Sequence, residues 1–254
     1  MKSEDIKKAE IDLYDKNASL LKEFVTWKEI FPKYLKSPYE CYLNYIKKHS
    51  CEAKQVLDLC CGMGEFSFDI ASRTDAKVLA VDISPESINV CKKQLEKNHI
   101  ENLFFEVGDA EKLNLPESSF DVICMSGSLS CIDVEFILSN IKKWLKPNGS
   151  FIVVDTYGYN PIFNLKRRFN CLLKQRTVNT VNNIPKKATI DAIKFCFEKT
   201  EVNYYGTFAF IGPFLKYIIG EKMTKKVVDG LDKCFPFLKK YAFKFVLCAN
   251  NVKK

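Results

Sequence analysis

Histidine is scarce in this chain of 254 residues, which contains only His49 and His99. Histidine is the side chain that most often serves as a general base near neutral pH, and it is also the commonest metal ligand. His49 closes an N-terminal helical segment and His99 precedes a predicted strand, so we expect both at the periphery. The sequence therefore argues against catalysis by a histidine base.

Long apolar runs are also missing. No stretch reaches the roughly 18 residues that a membrane-spanning helix needs. The N-terminal segment MKSEDIKKAEIDLYDK has no apolar core of the kind found in secretory signals, so we expect a cytoplasmic protein. Cysteine is plentiful, at eleven residues, but no Cys-x-x-Cys or His–Cys spacing predicts a metal site. The number of cysteines is odd, and five of them lie within apolar runs: Cys60, Cys61, Cys124, Cys196 and Cys248. This indicates reduced thiols that pack as small hydrophobic residues.

The net charge of +8 comes mostly from scattered lysines, with denser groups at 165–170 and 239–245. We interpret this charge mainly as a contribution to solubility; an anionic substrate or a membrane surface is the alternative. No stripe of interleaved basic and aromatic residues is present, so no nucleic-acid partner is expected.

Short β-branched runs alternate with helical segments from residue 55 onward, after a helical stretch over 4–50 that is broken near its prolines. This alternation predicts an α/β fold with a doubly wound, Rossmann-like, mostly parallel sheet. The predicted strands are Gln55–Leu59, Lys77–Val81, Leu103–Val107, Asp121–Met125 and Ser150–Thr156, and the predicted helices lie near 65–74, 85–97 and 133–145. We expect an N-terminal helical cap over 1–51 and a second domain over 52–254.

The regular alternation of strands and helices ends after Thr156. A basic amphipathic segment over 161–175 and a helix near 188–199 precede two predicted strands, 202–210 and 241–251. The last strand has no helix after it and is expected to enter the sheet antiparallel. Insertions near 158–187 and 211–238 are expected to form helical lid elements over the ligand crevice, which in open α/β sheets lies at the carboxyl ends of the strands.

The stretch VLDLCCGMGEFS, residues 56–67, predicts a strand, a tight turn and a helix start. It matches neither the G-x-G-x-x-G turn of dinucleotide sites nor a phosphate loop with its lysine. Asp58 and Glu65 would repel a phosphate at the helix start, where the backbone otherwise favours anions. A ligand with positive charge fits the turn better.

Two further acids follow predicted strands. Asp82 lies 24 residues after Asp58 and can accept hydrogen bonds from both hydroxyls of a ribose. Asp109, just past the third strand, can accept from an exocyclic amine such as that of adenine. A base, a ribose and a cationic part are the components of S-adenosylmethionine.

The sequence resembles the class I S-adenosylmethionine-dependent methyltransferases, of the group that includes small-molecule enzymes. The matching segments are VLDLCCGMG, VLAVDIS, VGDAEKLNLPESSFD and LKPNGSFIVVD, in the family's order, over about residues 52–156. The resemblance implies methionine-binding, ribose-binding and adenine-binding groups. These are Asp58, Gly62 and Gly64 for the methionine part, Asp82 for the ribose, Ile83, Asp109 and Ala110 for adenine, and Met125 and Ser126 passing close to the methionine part.

The sequence departs from the family pattern in three places. Cys60 stands where the family usually has its first glycine. Its side chain is expected to narrow the glycine turn that follows the first strand without blocking it. Ser130 and Cys131 stand where many relatives carry a histidine pair. The N/D-P-P-Y motif of enzymes that methylate nucleic-acid amines is replaced by CMSGSL, residues 124–129.

Methyl transfer depends mainly on positioning, and a base is needed only where the acceptor loses a proton. Asp155 and Tyr157, after the fifth strand, and Tyr14, in the N-terminal helix, are the catalytic candidates. The predicted acceptor is a small organic molecule methylated at oxygen or nitrogen, in a pocket made apolar by the aromatic lid segments. Three alternatives stay open: a silent S-adenosylmethionine-binding regulatory module, a macromolecular substrate, and a lipid-linked acceptor reached through peripheral membrane contact of residues 214–240.

Overall fold

Seven strands form a single mixed sheet in the computed structural model, which describes residues 3–20 and 24–253. Their order across the sheet is β3-β2-β1-β4-β5-β7-β6. The strands are β1 (Gln55–Leu59), β2 (Lys77–Asp82), β3 (Leu103–Val107), β4 (Phe120–Ser126), β5 (Leu145–Thr156), β6 (Phe197–Tyr205) and β7 (Lys244–Val252). The first five pair in parallel, and β7 runs antiparallel to both β5 and β6. The predicted doubly wound sheet with an antiparallel last strand is confirmed.

The predicted strand 202–210 is wrong in its bounds. β6 begins at Phe197, which pairs with Val252, and ends at Tyr205, which pairs with Lys244. Gly206 follows with φ of 74°, a left-handed turn that ends the strand. The preceding helix consequently stops earlier than expected, at Cys196 rather than 199.

Helices cover the sheet on both faces. They are α1 (Glu4–Leu20), α2 (Trp27–Ile30), α3 (Ser37–His49), α4 (Ser67–Ala71), α5 (Pro85–Asn98), α6 (Val134–Trp144), α7 (Pro161–Leu172), α8 (Val178–Asn182), α9 (Lys187–Cys196) and α10 (Gly212–Cys234), the last kinked at Gly220. The predicted helical stretch over 4–50 is interrupted before its prolines, because residues 24–26 are not helical. Its part over residues 21–23 lies outside the described residues, as do residues 1, 2 and 254.

Alternate residues of each central strand belong to two separate cores. Leu57 and Leu59 of β1 pack on one face with Trp144 of α6, and Val56 packs on the other with Tyr42 of α3. A strand that is buried on both sides reads as a nearly continuous apolar run, and in β1 the only charged residue is Asp58. The domain boundary at residue 51 stays a prediction.

The parallel strands β1, β2, β4 and β5 direct their carboxyl ends to one edge of the sheet. The cofactor turn, defined here as residues 60–64, therefore meets the strand ends that carry Asp82 and Asp155 and the loop after β3 that carries Asp109. Within residues 3–20 and 24–253, no helix is both long and apolar enough to cross a membrane.

Candidate cofactor and acceptor site

The cofactor turn is built on three left-handed residues. Cys60, Gly62 and Gly64 have φ values of 59°, 58° and 76°. The Cys61 N–H donates to the Val81 carbonyl at 3.0 Å, which ties the turn to β2. A Cβ on Gly64 would lie 3.1 Å from Cys91 Sγ and 3.2 Å from two phenylalanine rings, so only glycine fits there.

Cys60 is a non-glycine residue in a conformation that costs an L-residue about 1 kcal/mol or more. We expect Cys60→Gly to leave the free energy of unfolding within about 1 kcal/mol of the wild type, because relief of strain and added freedom of the unfolded chain oppose each other. Cys60→Val is expected to lower it by about 2 kcal/mol, because β-branched residues tolerate positive φ poorly. Equal stability of the two variants in denaturant titrations would contradict the left-handed geometry.

Asp82 closes the cofactor turn from the end of β2. Its Oδ2 accepts the Gly62 N–H at 2.8 Å, and its Oδ1 accepts the Ser84 N–H at 3.0 Å. Burial raises the pKa of this carboxyl, against the lowering effect of these backbone donors. The carboxylate lies at the predicted ribose position, and each of its oxygens retains capacity for a second hydrogen bond.

Asp58 lies below the cofactor turn, almost fully buried. Its Oδ2 accepts the Ser67 hydroxyl at 2.6 Å, and its Oδ1 lies 3.8 Å from Cys124 Sγ. Burial raises the pKa of Asp58 to about 7. Burial, together with the charges of Asp82 and Asp58, likewise raises the pKa of the partly exposed Glu65 to about 7. Three carboxyls thus surround the turn, an arrangement that favours a cationic ligand.

Asp109 and Ala110 follow β3 beside β2, where the Gly108 N–H donates to the Asp82 carbonyl at 2.8 Å. Asp109 Oδ2 is already paired with Lys7 Nζ of α1 at 2.6 Å. Lys7 Nζ also lies 2.9 Å from Glu111 Oε2. Ala110 is buried and Ile83 partly exposed. No local signal in the sequence identifies Lys7, because the pair joins residues 102 positions apart.

Helix α1 lies over this edge of the sheet and links its two sides. Asp15 accepts the Ser84 hydroxyl at 2.5 Å on the cofactor side. Glu10 Oε1 accepts the hydroxyls of Thr177 and Thr180, beside α8, at 2.5 and 2.8 Å. The Tyr14 hydroxyl lies 3.6 Å from Cys131 Sγ, and burial raises its pKa well above the usual range. The N-terminal helix therefore bridges the cofactor residues and the 158–187 insertion.

Asp155 is fully buried and holds the loop after β4. Its Oδ2 accepts the Leu129 N–H at 2.9 Å, and its Oδ1 accepts from the Thr156 backbone and hydroxyl. Met125 is buried in the core, and Ser126 ends β4 immediately before this loop. Asp155 and Tyr14 thus converge on residues 129–131.

Tyr157 is a buried member of an aromatic group beyond β5. Its ring centroid lies 5.1 Å from that of Tyr159 and 5.2 Å from that of Tyr204. Burial raises its pKa above the usual range. The structure therefore places Tyr157 among packing rings, whereas Asp155 and Tyr14 both meet the loop after β4. The roles of the predicted site residues all stay predictions.

Comparisons with known proteins agree with this geometry. A family model described as a methyltransferase domain matches residues 50–209. The chain is 32% identical over 104 residues to a demethylmenaquinone methyltransferase of Lactococcus lactis, covering 40% of this chain and 41% of that protein. It is 31% identical over 115 residues to an uncharacterized methyltransferase of Bacillus subtilis, covering 44% and 45%. The matches thus span less than half the length of these relatives.

Solved structures show the same fold. The phosphoethanolamine N-methyltransferase 2 of Haemonchus contortus, in complex with S-adenosylmethionine, has a TM-score of 0.63 at 16% identity, covering 95% of this chain and 57% of that chain. The geranyl diphosphate C-methyltransferase of Streptomyces coelicolor has a TM-score of 0.58 at 16% identity, covering 84% and 76%. The sheet order and the glycine turn define a class I methyltransferase fold. The chain belongs to the methyltransferase domain family, as the resemblance implied.

Proposed function

We propose that this chain binds S-adenosylmethionine at the cofactor turn and transfers its methyl group to a small organic acceptor, at oxygen or nitrogen. The observation that carries the proposal is the left-handed turn, residues 60–64, with the Asp82 carboxylate bonded to the Gly62 N–H. The Asp58, Glu65 and Asp82 carboxyls fit the cofactor's positive charges. The relatives named above as methyltransferases of demethylmenaquinone, phosphoethanolamine and geranyl diphosphate support a small acceptor.

When bound, S-adenosylmethionine supplies an activated methyl group on a sulfonium that is itself a good leaving group. The protein then has to orient the acceptor and the cofactor and exclude water. For a hydroxyl acceptor it also has to take a proton. Asp82 would orient the ribose, and the Asp109–Ala110 segment the adenine. Helix α1 would exclude water through Lys7, Glu10 and Tyr14. Asp155 would fix the loop after β4 and is the candidate to receive a proton from a hydroxyl acceptor.

The test is calorimetric titration of the full chain with S-adenosylmethionine and S-adenosylhomocysteine at pH 6 and pH 8. We expect micromolar binding at pH 8 and weaker binding at pH 6. The pKa values of Asp58 and Glu65, about 7, mean that both carboxyls are largely protonated at pH 6 and lose their attraction for a cation. Binding near pH 7 should therefore release protons, which buffers of different ionisation enthalpy would reveal.

Absence of binding by either ligand at pH 8 would overturn the cofactor proposal. Binding that is equally strong at both pH values would contradict the role of the acidic group. A silent regulatory module and an enzyme differ in turnover: formation of S-adenosylhomocysteine with a hydroxylated aromatic, an amine or a sugar would establish the enzyme. Binding without turnover across such a panel would favour the module.

A further inference from the structure

Two cationic side chains are buried at the carboxyl end of β5. Arg167 of α7 is 5% exposed, and Lys244, the first residue of β7, is 7% exposed. Lys244 pairs in register with Thr156, the residue that follows Asp155. Both cations lie against one ring: Arg167 Cζ and Lys244 Nζ are each 5.6 Å from the Phe243 centroid. Arg167 and Lys244 belong to the two dense basic groups of the sequence, 165–170 and 239–245, but no local pattern distinguishes them from their exposed neighbours Arg168 and Lys240.

Neither cation has an ion pair among residues 3–20 and 24–253. Arg167 Nη1 donates to Asn164 Oδ1 at 2.6 Å, but its Nη2 is buried without a hydrogen-bond partner. Asp155 is the carboxylate whose charge acts on both, yet its oxygens already accept from Leu129 and Thr156. Burial lowers the pKa of Lys244 to about 8 and that of Arg167 to about 10. Both remain mostly protonated at neutral pH.

The surrounding segment adds positive charge and no negative charge. Residues 156–190 contain lysines and arginines but no aspartate or glutamate. The charge of the exposed Arg176 acts on both Arg167 and Lys244. Helix α7 and the start of β7 therefore concentrate positive potential beside Asp155.

Packing does not account for this arrangement. A buried charge without a counterion costs several kcal/mol, whereas a cation–π contact returns only about 0.5–2 kcal/mol. Two buried cations without a counterion, at the carboxyl end of a parallel strand, are the arrangement that an anionic ligand would complete.

The position also suits an acceptor. Lys244 Nζ lies 5.1 Å from the Tyr39 ring, which stacks on Phe66 at 5.3 Å, just after the cofactor turn. An anion held between Arg167 and Lys244 would thus lie between the cofactor turn and the 158–187 insertion. We propose that Arg167 and Lys244, with Arg176 at the rim, form a subsite for a phosphate-type oxyanion carried by the methyl acceptor. The inference rests on the proposed function where it assigns the oxyanion to an acceptor, but the subsite itself can be tested alone.

The experiment is calorimetric titration of the full chain, with and without saturating S-adenosylhomocysteine, using inorganic phosphate and pyrophosphate as probes. Arg167→Gln and Lys244→Met are the test variants. Arg168→Gln and Lys240→Met are the matched controls, because both side chains are exposed near the test positions. We expect saturable binding by the wild type and controls, and at least a tenfold loss in each test variant. No binding by the wild type, or equal loss in the controls, would overturn the subsite.

Vesicles of phosphatidylcholine, with and without phosphatidic acid, distinguish the two sources of such a group. Binding of the soluble probes points to a soluble phosphorylated acceptor. Binding only to phosphatidic acid, lost in Arg167→Gln and kept in Arg168→Gln, points to a lipid headgroup; both results support the subsite. If vesicle binding is the only binding seen and is unchanged in Arg167→Gln, the subsite is overturned.

Thermal unfolding distinguishes a lysine that binds an anion from a lysine that only stabilises the fold. We expect Lys244→Met to raise the melting temperature without ligand, since it removes a buried unpaired charge, and to abolish the rise that phosphate causes in the wild type. A lowered melting temperature with an intact phosphate effect would contradict the proposal. Binding of S-adenosylhomocysteine, measured on every variant, separates failure of the subsite from failure of the proposed function.

Discussion

Lys7→Met is expected to lower the free energy of unfolding by about 3 kcal/mol, because it removes from a buried cluster the ammonium that pairs with the Asp109 and Glu111 carboxylates. Lys7 Nζ lies 2.6 Å from Asp109 Oδ2 and 2.9 Å from Glu111 Oε2. The lysine, aspartate and glutamate side chains are 8%, 17% and 1% exposed, so water has little access to the cluster while α1 stays in place. Methionine is an unbranched side chain one atom shorter than lysine, so it fills most of the same space without the charge or the donors of the ammonium.

The pKa of Lys7 shows how strongly the charged form is held. Burial alone would lower it, but the hydrogen bonds to Asp109 and Glu111 raise it above its usual value. Without the ammonium, release of α1 from the sheet costs less free energy than keeping both carboxylates buried, because it hydrates them. We therefore expect the destabilisation to appear first as faster hydrogen exchange in α1. The decrease in the free energy of unfolding cannot exceed the free energy needed to release this helix.

The measurement is denaturant unfolding combined with hydrogen exchange. Lys8→Met is the matched control, because Lys8 is exposed one position further along the same helix. Adding Glu111→Gln to Lys7→Met should recover part of the loss, because it removes one of the two opposed charges. Equal effects of Lys7→Met and Lys8→Met would show that the Lys7 cluster does not hold α1 in place.

The central sheet and the cofactor turn were predictable because their signals are local. Each parallel strand contains a short apolar run followed by a turn, although β5 begins at Leu145, five residues before the predicted Ser150. The glycines of the turn need left-handed backbone conformations, which Gly62 and Gly64 have. Asp82 ends β2 and Asp109 lies two residues after the end of β3, so the parallel topology places both at the same end of the sheet.

The contacts that cover the site were not predictable, because they join distant parts of the chain. In the sequence, Lys7 is one of several lysines in a predicted helix. Only the packing of α1 over Asp109 distinguishes it from the others. Arg167 lies in a run of basic residues that looks solvated, yet Arg167 is buried and Arg168 is exposed. Lys244 begins a strand, and its burial depends on Tyr39 of α3 and Phe243. Tertiary packing decides which lysine or arginine faces inward, and a local pattern does not contain that information.

Cys60 was predictable in part from the sequence and in part only from the structure. The sequence shows that a side chain replaces a usual glycine, and it predicts a narrowed turn. The structure adds that Cys60 adopts the left-handed conformation while the turn keeps its hydrogen bonds to β2. The substitution is therefore absorbed as backbone strain at one residue, which fits a working cofactor turn better than a closed one.

Asp82→Ala is expected to weaken S-adenosylmethionine binding by more than tenfold, and by up to about a hundredfold, the range for losing charge-assisted hydrogen bonds to ligand hydroxyls. The carboxylate sits at the end of β2 with one backbone donor on each oxygen. Each carboxylate oxygen keeps capacity for a second hydrogen bond, which the proposed ribose hydroxyls would use. Calorimetric titration measures the effect, and Asp75→Ala, an exposed acid just before the other end of β2, is the control.

Loss of affinity in Asp82→Ala alone would not separate a contact with ribose from support of the turn, because the same carboxylate accepts the Gly62 N–H. A cycle that also changes the ligand does separate them. We expect the 2′-deoxy analogue of S-adenosylhomocysteine to bind the wild type more weakly than the parent compound, and to bind Asp82→Ala about as well as the parent does. If removal of the hydroxyl costs the same in both proteins, Asp82 acts on the cofactor only through the turn, and the ribose assignment fails.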